Sequence, residues 1–492
     1  MKIQFDEKNL LAGVAGEAHG VTRSEYEQSR PKALEALASF REKSDKGLYG
    51  FPHLPFRKET IDAISQYADS VPFDYDTVCV VGIGGSALGA WALDCGIRGP
   101  HPVQGAFTPE HPRLVILDNI DPSFTSAALA SMDAHKTLVV VIAKSGATAE
   151  TVATFLIVRD WLEQALGDEA ANRIVAVTTE GKYEEGPHKG EYKSALCELA
   201  GDRGYKTFGV PENVGGRFSV LSAVGLLPAA LIGIDIGELT RGAAEMTHRS
   251  WQPDLEENVA LRAALWHWLI STRRNKSIQV AFPYSNQLWG TAFWFRQLWA
   301  ESLGKKRNRT GATVNVGQTP VAALGTTDQH SQMQLYIEGP NDKVFTFWKV
   351  EEFGSPDTIP ARTFGLEAVD YLVGQTLTKL IDAEQRATAA ALSMNGRPHC
   401  TVTLGRVDEE HLGAFLQMME FQTAFMGELL GIDAFNQPGV ELGKLFTYGL
   451  MGRPGFERYK EQIEELEKKW AAAGQGTLGS GAGNGVGAAE RT

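Results

Sequence analysis

Short apolar runs recur in the first half of the chain, and each is followed by a segment rich in glycine or in polar side chains. The runs cover residues 77–81, 113–117, 137–142 and 173–177. Because nearly every position in them is apolar, they are typical of strands buried on both faces, which predicts a parallel sheet covered by helices. Ligands of such sheets bind beyond the carboxyl ends of the strands, so the polar segments that follow are the first candidates for a binding site.

A second and weaker alternation follows in the C-terminal half. A helical pattern over 258–271 precedes a strand-like run at 277–283, and further strands are predicted at 321–324 and 344–348. Long helical patterns cover 409–430 and 456–473. Together the two alternations predict an α/β fold with two doubly wound α/β/α sandwich domains and mainly parallel sheets, extended by helices at both ends of the chain.

This pattern also predicts where the parts of the chain begin and end. Residues 474–492 are rich in Gly, Ala and Ser, a composition typical of disorder. The expected parts are an N-terminal helical segment (1–45), a first domain (46–240), a second domain (241–452), a C-terminal helix (453–473) and a disordered tail (474–492).

Charge and composition exclude several classes of partner. The net charge of −13 makes the chain a poor general binder of nucleic acid or of anionic membranes. The longest apolar stretch, 220–234, has about 15 residues, against about 20 needed to cross a bilayer. The 4 cysteines are scattered without paired spacing, which is typical of a reducing compartment and not of a disulfide framework or a zinc site. We therefore expect a cytoplasmic protein with no nucleic-acid partner, no membrane partner and no metal site.

The first polar segment, 82–89, follows a strand, opens a helix and contains Gly85 and Ser86. Glycines let the backbone approach an anion, and the start of a helix supplies unpaired N–H donors. The segment also fits the G-x-G-x-x-A pattern of dinucleotide-binding folds, which requires an acidic residue about 20 positions further on. Asp118 lies too far along to serve, so we expect no nicotinamide cofactor and no other cofactor, while a purely structural tight turn stays open.

The third strand ends in a segment that combines one cation, Lys144, with the hydroxyl groups of Ser145 and Thr148. A phosphate dianion prefers this combination of neutral donors and an ammonium group. Serine and threonine are also ordinary caps of helix N-termini, which is the alternative interpretation. The two segments together resemble the sugar isomerase domain, and this resemblance implies a small-molecule sugar phosphate as the ligand.

Later segments supply groups suited to acid–base chemistry. Arg217 follows two glycines and precedes an apolar helix, and Gln297 and Glu301 lie four residues apart, on one face of a predicted helix. Gln437 and Lys444 flank Pro438 in a third segment, where Gln437, Glu441 and Lys444 are predicted to share a helical face. A helix-start salt bridge, a surface glutamate and a solvated charged face are the alternative interpretations of these three segments.

The segments around Arg217 and over 435–444 resemble the two signature segments of the glucose-6-phosphate isomerase family. The two phosphate-type loops precede the first of them, and a Glu-Ser-x-Gly-Lys segment and a Gln-His-Ser segment with His330 lie between the two. The resemblance covers roughly residues 75–452. It implies the interconversion of an aldose phosphate and a ketose phosphate, without metal, by a homodimer built from sugar isomerase domains.

The resemblance also implies a role for each matching residue. Glu301 is the expected base that moves a proton between C1 and C2, and Arg217 is expected to stabilise the enediolate. His330 and Lys444 are expected to assist ring opening, with each active site shared between two subunits. The residues expected to hold the phosphate and neighbouring hydroxyls are Gly85, Ser86, Lys144, Ser145, Thr148, Gln297 and Gln437.

Three residues at two sites depart from the family pattern. Leu303 stands where many members have Asn, and Gly146-Ala147 replaces a bulkier pair found in animal members. Two other functions remain open from the sequence, a dual glucose/mannose phosphate isomerase and a phosphosugar-sensing protein without catalysis. The second would not need Glu301, His330 and Lys444 together.

Overall fold

A computed structural model describes residues 2–99, 111–146, 148–185, 187–354, 358–362 and 365–476. The chain divides into two compact units, residues 1–435 and residues 436–492. Both sheets that position the candidate site lie in the first unit. The predicted division of this part into two α/β domains stays a proposal.

The described residues contain the following strands: β1 (Ile3–Asp6), β2 (Thr77–Val81), β3 (Arg113–Leu117), β4 (Thr137–Ile142), β5 (Ile174–Thr178), β6 (Lys206–Gly209), β7 (Ile278–Pro283), β8 (Lys305–Arg307), β9 (Thr313–Val316), β10 (Thr319–Ala322), β11 (Lys343–Val350) and β12 (His399–Leu404). The α-helices of the first unit are α1 (Ala12–Ala15), α2 (Arg23–Asp45), α3 (Lys58–Asp69), α4 (Leu88–Ile97), α5 (Pro122–Ala130), α6 (Ala149–Leu166), α7 (Ala195–Arg203), α8 (Ala223–Leu231), α9 (Ile236–Ser250), α10 (Val259–Arg273), α11 (Trp289–Leu303), α12 (Met333–Glu338), α13 (Leu377–Met394) and α14 (Glu409–Leu430).

The first sheet has five parallel strands in the order β3-β2-β4-β5-β6. Strands β2 and β4 are fully buried, as their apolar sequences predict. The chain order reverses between β2 and β4, because β3 lies on the far side of β2. Such a switch point opens a crevice at the carboxyl ends of the strands, and the two predicted phosphate loops follow β2 and β4 at this place.

The second sheet has the order β1-β12-β11-β7-β10. Strands β10, β7, β11 and β12 are parallel, and β1 pairs antiparallel with β12 at the edge. Two mainly parallel sheets with helices between the strands confirm the predicted α/β class. The strand β1 lies within the predicted N-terminal helical segment and was not expected, since it has only four residues and alternates buried with exposed positions.

One hydrophobic core spans both sheets. It includes Val78 and Val80 of β2, Trp348 of β11, and the apolar faces of α9, α10, α11 and α14. The helix α11, which carries the predicted base, has Trp294 and Trp299 buried in this core. Its last turn is therefore fixed by packing, which matters for any group at its end.

The second unit contains α15 (Glu441–Leu450) and α16 (Glu457–Gly476), preceded by a 3-10 turn at Pro438–Val440. The helix α16 confirms the predicted C-terminal helical pattern. The predicted disordered tail begins inside this helix at Gly474, and its remaining part, 477–492, lies outside the described residues. Every helix of the described chain is too short or too polar to traverse a lipid bilayer.

Candidate active site

A polar pocket of about 400 Å³ opens at the switch point of the first sheet. The loops after β2 and β4 and the segments that follow β5 and β6 form its walls. The lining residues are Ile83, Ser86, Ile142, Ala143, Lys144, Ser145, Thr148, Thr151, Thr179, Tyr183, Lys193 and Glu212. Four of the predicted phosphate ligands, Ser86, Lys144, Ser145 and Thr148, are thereby brought to one place.

The glycine loop after β2 turns through a short 3-10 segment, Gly84–Ser86, before α4 begins. Gly85 packs directly against the chain that precedes the predicted arginine. A Cβ atom at this position would lie 2.2 Å from the carbonyl oxygen of Gly216 and 2.8 Å from the backbone nitrogen of Arg217. Only glycine allows this approach, so the loop that lines the pocket is in contact with the segment that carries Arg217.

Lys144 fixes the opposite wall of the pocket. Its Nζ atom donates to the carbonyl oxygens of Glu212 at 2.7 Å and of Val214 at 2.8 Å. Burial lowers the pKa of Lys144, and the nearby charge of Glu212 opposes this effect. Since the two acceptors are neutral backbone groups, the ammonium charge still acts on the pocket. Lys144 also ties the segment 212–214, immediately before Arg217, to the end of β4.

The departure at Gly146 has a structural reason. Its φ angle is +65°, a left-handed conformation that favours glycine. A Cβ atom there would also lie 2.4 Å from the backbone nitrogen of Leu196 and 2.4 Å from Ser194 Oγ. The start of α7 thus leaves no room for a side chain, and a bulkier residue requires this helix to shift. Ala147, the other member of the pair, lies outside the described residues.

Arg217 is buried, and its guanidinium donates in three directions. The Nη1 atom bonds Glu301 Oε2 at 2.9 Å, Nε bonds Ser302 Oγ at 2.7 Å, and Nη2 bonds the carbonyl oxygen of Ala434 at 2.6 Å. Burial lowers the pKa of Arg217, and the charge of Glu301 raises it again. The predicted base and the predicted enediolate-stabilising cation therefore form a fixed ion pair.

The helix α11 places Gln297 and Glu301 on one side, one turn apart. Gln297 reaches the glycine loop, since a Cβ atom on Gly84 would lie 2.8 Å from Gln297 Nε2. Its Oε1 atom is buried and has no hydrogen-bond partner among the described residues. The Glu301 side chain is 30% exposed, which leaves it accessible to a ligand. Leu303, the departure from the family pattern, ends the helix and is fully buried in the core.

Sequence reasoning assigned no role to Lys305, although its motif was recognised. The side chain is buried, and Nζ donates to the carbonyl oxygens of Glu301 at 2.7 Å and Ser302 at 2.8 Å. Its position four residues after Glu301 was visible in the sequence, but its burial follows only from tertiary packing. Ser302 was missed in the same way, as an acceptor for Arg217.

His330 lies in a short turn that follows β10. Tyr284 and Gln329 hold this turn, through a hydrogen bond of 3.0 Å from the tyrosine hydroxyl to Gln329 Oε1. The histidine is exposed and, in the described part of the chain, forms no hydrogen bond or ion pair with Glu301 or Arg217. The contacts described within the first unit therefore do not link His330 to the Arg217–Glu301 ion pair at the end of α11.

Gln437 and Lys444 belong to the second unit. Lys444 lies on α15 and is paired with Glu441, with 2.9 Å between Nζ and Oε1. The expectation that Gln437 shares their helical face is wrong, because residues 438–440 form a 3-10 turn and the α-helix begins only at Glu441.

Comparison with known proteins is consistent with this geometry. The phosphoglucose isomerase family model matches residues 73–454. The glucose-6-phosphate isomerase of Carboxydothermus hydrogenoformans is 42% identical over 447 residues, covering 89% of this chain and 93% of that protein. The enzyme of the same name from Rubrobacter xylanophilus is 41% identical, covering 92% of this chain and 99% of that protein.

Solved structures share the fold. A crystal structure of a Thermus thermophilus protein superposes with a TM-score of 0.80 at 34% identity, covering 92% of this chain and 100% of that one. A glucose-6-phosphate isomerase structure from Chlamydia trachomatis gives a TM-score of 0.76 at 21% identity, covering 91% of this chain and 90% of that one, and shows the same fold. The match to the family model and the extent of sequence identity lead to one conclusion: the chain belongs to the phosphoglucose isomerase family.

Proposed function

We propose that this protein interconverts glucose 6-phosphate and fructose 6-phosphate by base-mediated proton transfer. The observation that supports this most strongly is the ion pair between the buried Arg217 and the partly exposed Glu301, because the Arg217 segment contacts the glycine loop of a pocket suited to a phosphate dianion. An aldose–ketose isomerase needs a carboxylate within reach of two adjacent carbons and a cation beside the enediolate oxygen. Conversion of fructose 6-phosphate in an assay coupled to glucose-6-phosphate oxidation tests it, and ligand binding without turnover would favour a sensing protein.

The proton transfer follows from the ion pair. The Glu301 carboxylate takes the proton from C2 of the open-chain aldose, the C1–C2 double bond forms, and the carbonyl oxygen on C1 gains the negative charge. Protonation of Glu301 removes the charge that Arg217 had faced, so the guanidinium is then available to the enediolate oxygen. Glu301 returns the proton to C1, and the proton of the C2 hydroxyl is transferred to the oxygen on C1, so that C2 becomes the ketone and C1 carries a hydroxyl. Lys444 and His330 serve the preceding ring opening.

The phosphate lies, in this proposal, in the pocket between the loops after β2 and β4. Ser86, Ser145 and Thr148 supply hydroxyl donors, and Lys144 supplies a positive charge that no carboxylate of the described residues neutralises through a direct bond. Gln297 links the pocket to the base, because it lies one helical turn from Glu301 and contacts the glycine loop.

We also propose a cytoplasmic homodimer. Cys79, Cys95 and Cys400 are buried, and this scattered placement of cysteines in the core suits a reducing compartment. The exposed His330 forms no bond to the Arg217–Glu301 pair in the described part of the chain, which supports a site completed by a second copy. Cell fractionation that finds the protein in a membrane or secreted fraction would contradict the compartment.

The substitution Glu301→Gln is expected to reduce kcat at least 100-fold, because it removes the base while keeping the size of the side chain. Binding of fructose 6-phosphate, measured by calorimetry, should change little. Glu338→Gln, at the exposed end of another helix, is the matched control and should keep parental turnover. A Glu301→Gln enzyme within tenfold of the parent would show that another group is the base.

The double substitution Ser145→Ala and Thr148→Ala is expected to raise KM roughly ten- to a hundredfold per residue. Each removes a donor to a dianion, and such charge-assisted bonds contribute about 1.5–3 kcal/mol. Ser123→Ala, in the first turn of the helix that follows β3, is the matched control outside the pocket. Steady-state kinetics that find an unchanged KM in the double variant place the phosphate elsewhere.

Co-refolding of two inactive variants is expected to restore activity if the site is shared. Glu301→Gln and His330→Ala are denatured together and refolded at equal ratio. A mixed dimer then has one site with both substitutions and one site with neither, since a two-fold interface is reciprocal. Random pairing makes half of the dimers mixed, so roughly a quarter of parental activity returns.

Native mass spectrometry of the refolded sample measures the fraction of mixed dimers and serves as the control. If His330 acts within its own subunit, every site keeps one substitution. Mixed dimers that form in the expected proportion without activity would therefore rule out the shared site, and leave the isomerase proposal standing.

A further inference from the structure

Lys305 directs a buried ammonium group at the end of the helix that carries Glu301. It follows Gly304, begins β8, and donates to the carbonyl oxygens of Glu301 and Ser302. Only 6% of the residue is exposed. The last carbonyl groups of a helix have no intrahelical donor and give this end a partial negative charge. Lys305 therefore neutralises the negative end of α11 at the position of the base.

The charged groups that face Lys305 are Arg217, Asp433 and Glu301. Burial, and then the repulsion from Arg217, lower the pKa of Lys305 to about 8, while Asp433 and Glu301 oppose the shift. Between about pH 8 and the ordinary value of 10.5, the unfolded chain holds more protons on this group than the folded chain does. The free energy of unfolding therefore rises with pH in this window, and at neutral pH the ammonium group destabilises the fold.

Since the buried ammonium group lowers the free energy of unfolding at neutral pH, packing of the core does not explain why a lysine occupies position 305. The neighbouring Lys306 has the same charge but is exposed, so the unusual feature of Lys305 is its burial and not its residue type. The enediolate that forms beside Glu301 carries a negative charge, which the uncompensated end of a helix would repel. Two cations contact Glu301. Arg217 donates to its carboxylate, and Lys305 donates to its backbone carbonyl oxygen.

We propose that Lys305 is a positioning residue for the isomerisation. It fixes the last turn of α11, so that Glu301 keeps its alignment with Arg217, and its charge lowers the energy of the enediolate. This inference rests on the proposed role of Glu301 as the base. Lys305 touches no reacting atom, so its loss acts on the chemical step through Glu301 and spares ground-state binding of the phosphate.

The test compares Lys305→Met with Lys306→Met in the full-length protein. Methionine has a similar length and an apolar end that suits a buried site. We expect kcat of Lys305→Met to fall roughly ten- to a hundredfold, less than the about 100- to 1,000-fold lost with a direct oxyanion donor. KM should stay within about threefold of the parental value, because the contacts that bind the substrate in its ground state are retained. The melting temperature at pH 7 should stay equal to that of the parent or rise, and Lys306→Met should match the parent in all three measurements.

The pH dependence of kcat/KM separates positioning from a structural role. For the parent, kcat/KM should fall as the pH rises through about 8, because the free enzyme then loses the Lys305 charge. Lys305→Met should lose this alkaline fall and keep its lower activity across the range. The pH profile of kcat/KM can be measured on the parent alone. A parental profile that stays flat up to pH 9.5 therefore overturns the proposal even if Lys305→Met does not fold.

Two further results would contradict the proposal. Lys305→Met with the kcat of Lys306→Met excludes a role in the reaction, and a parallel fall of kcat, ligand affinity and melting temperature indicates a structural role. Absence of turnover by the parent would overturn the proposed function together with this inference. Turnover by the parent with an equally active Lys305→Met overturns the role of Lys305 alone.

Discussion

Arg217 carries a positive charge into the protein, where only 4% of the residue is exposed. Removing a charge from water costs several kcal/mol. For a guanidinium this cost is offset only when its N–H groups have hydrogen-bond partners. Here the partners are Glu301, Ser302 and the carbonyl group of Ala434, which come from distant parts of the chain. The position of the base, the end of α11 and the chain near residue 434 all depend on this one group.

The pocket depends on the same anchor through the backbone. Gly85 lies against Gly216 and Arg217, and Lys144 holds the carbonyl groups of Glu212 and Val214 just before them. The two loops that follow β2 and β4 therefore contact the segment of Arg217 from two sides. In the proposed function, a phosphate bound between the loops lies at a fixed distance from the carboxylate of Glu301. Binding energy gained at the phosphate would then orient the reacting carbons.

The sequence predicted four of the five strands of the first sheet, of which β2, β4 and β5 are fully buried, and it missed the short and partly exposed strand β6. Strands β2, β3 and β4 have the predicted bounds, and the apolar run at 173–177 differs from β5 by one residue. Strand β12 was missed because polar residues, among them His399 and two threonines, interrupt its apolar pattern. Its backbone pairs with neighbours on both sides, and no local pattern in the sequence shows such pairing.

The candidate site was predictable to the extent that its chemistry lies in contiguous segments. The loops with Ser86 and Lys144 follow strands, and their meeting at one switch point follows from the parallel topology. The role of Ser302 and Lys305 depends on burial, which is a property of the packed core, and a lysine in a sequence is ordinarily exposed. The error at Gln437 came from extending an α-helical period through a 3-10 turn.

The central claim is that a carboxylate moves a proton between two carbons, and isomerisation in D₂O tests it most directly. The Glu301 side chain is 30% exposed, so a proton held on it exchanges with solvent before some of the return steps. Fructose 6-phosphate converted in D₂O should give glucose 6-phosphate with deuterium at C2, detected by NMR. In Glu301→Gln, the rate of deuterium incorporation should fall by the same factor as the rate of turnover. Product formed at the parental rate with no deuterium at C2 would indicate a direct hydride shift and would contradict the account.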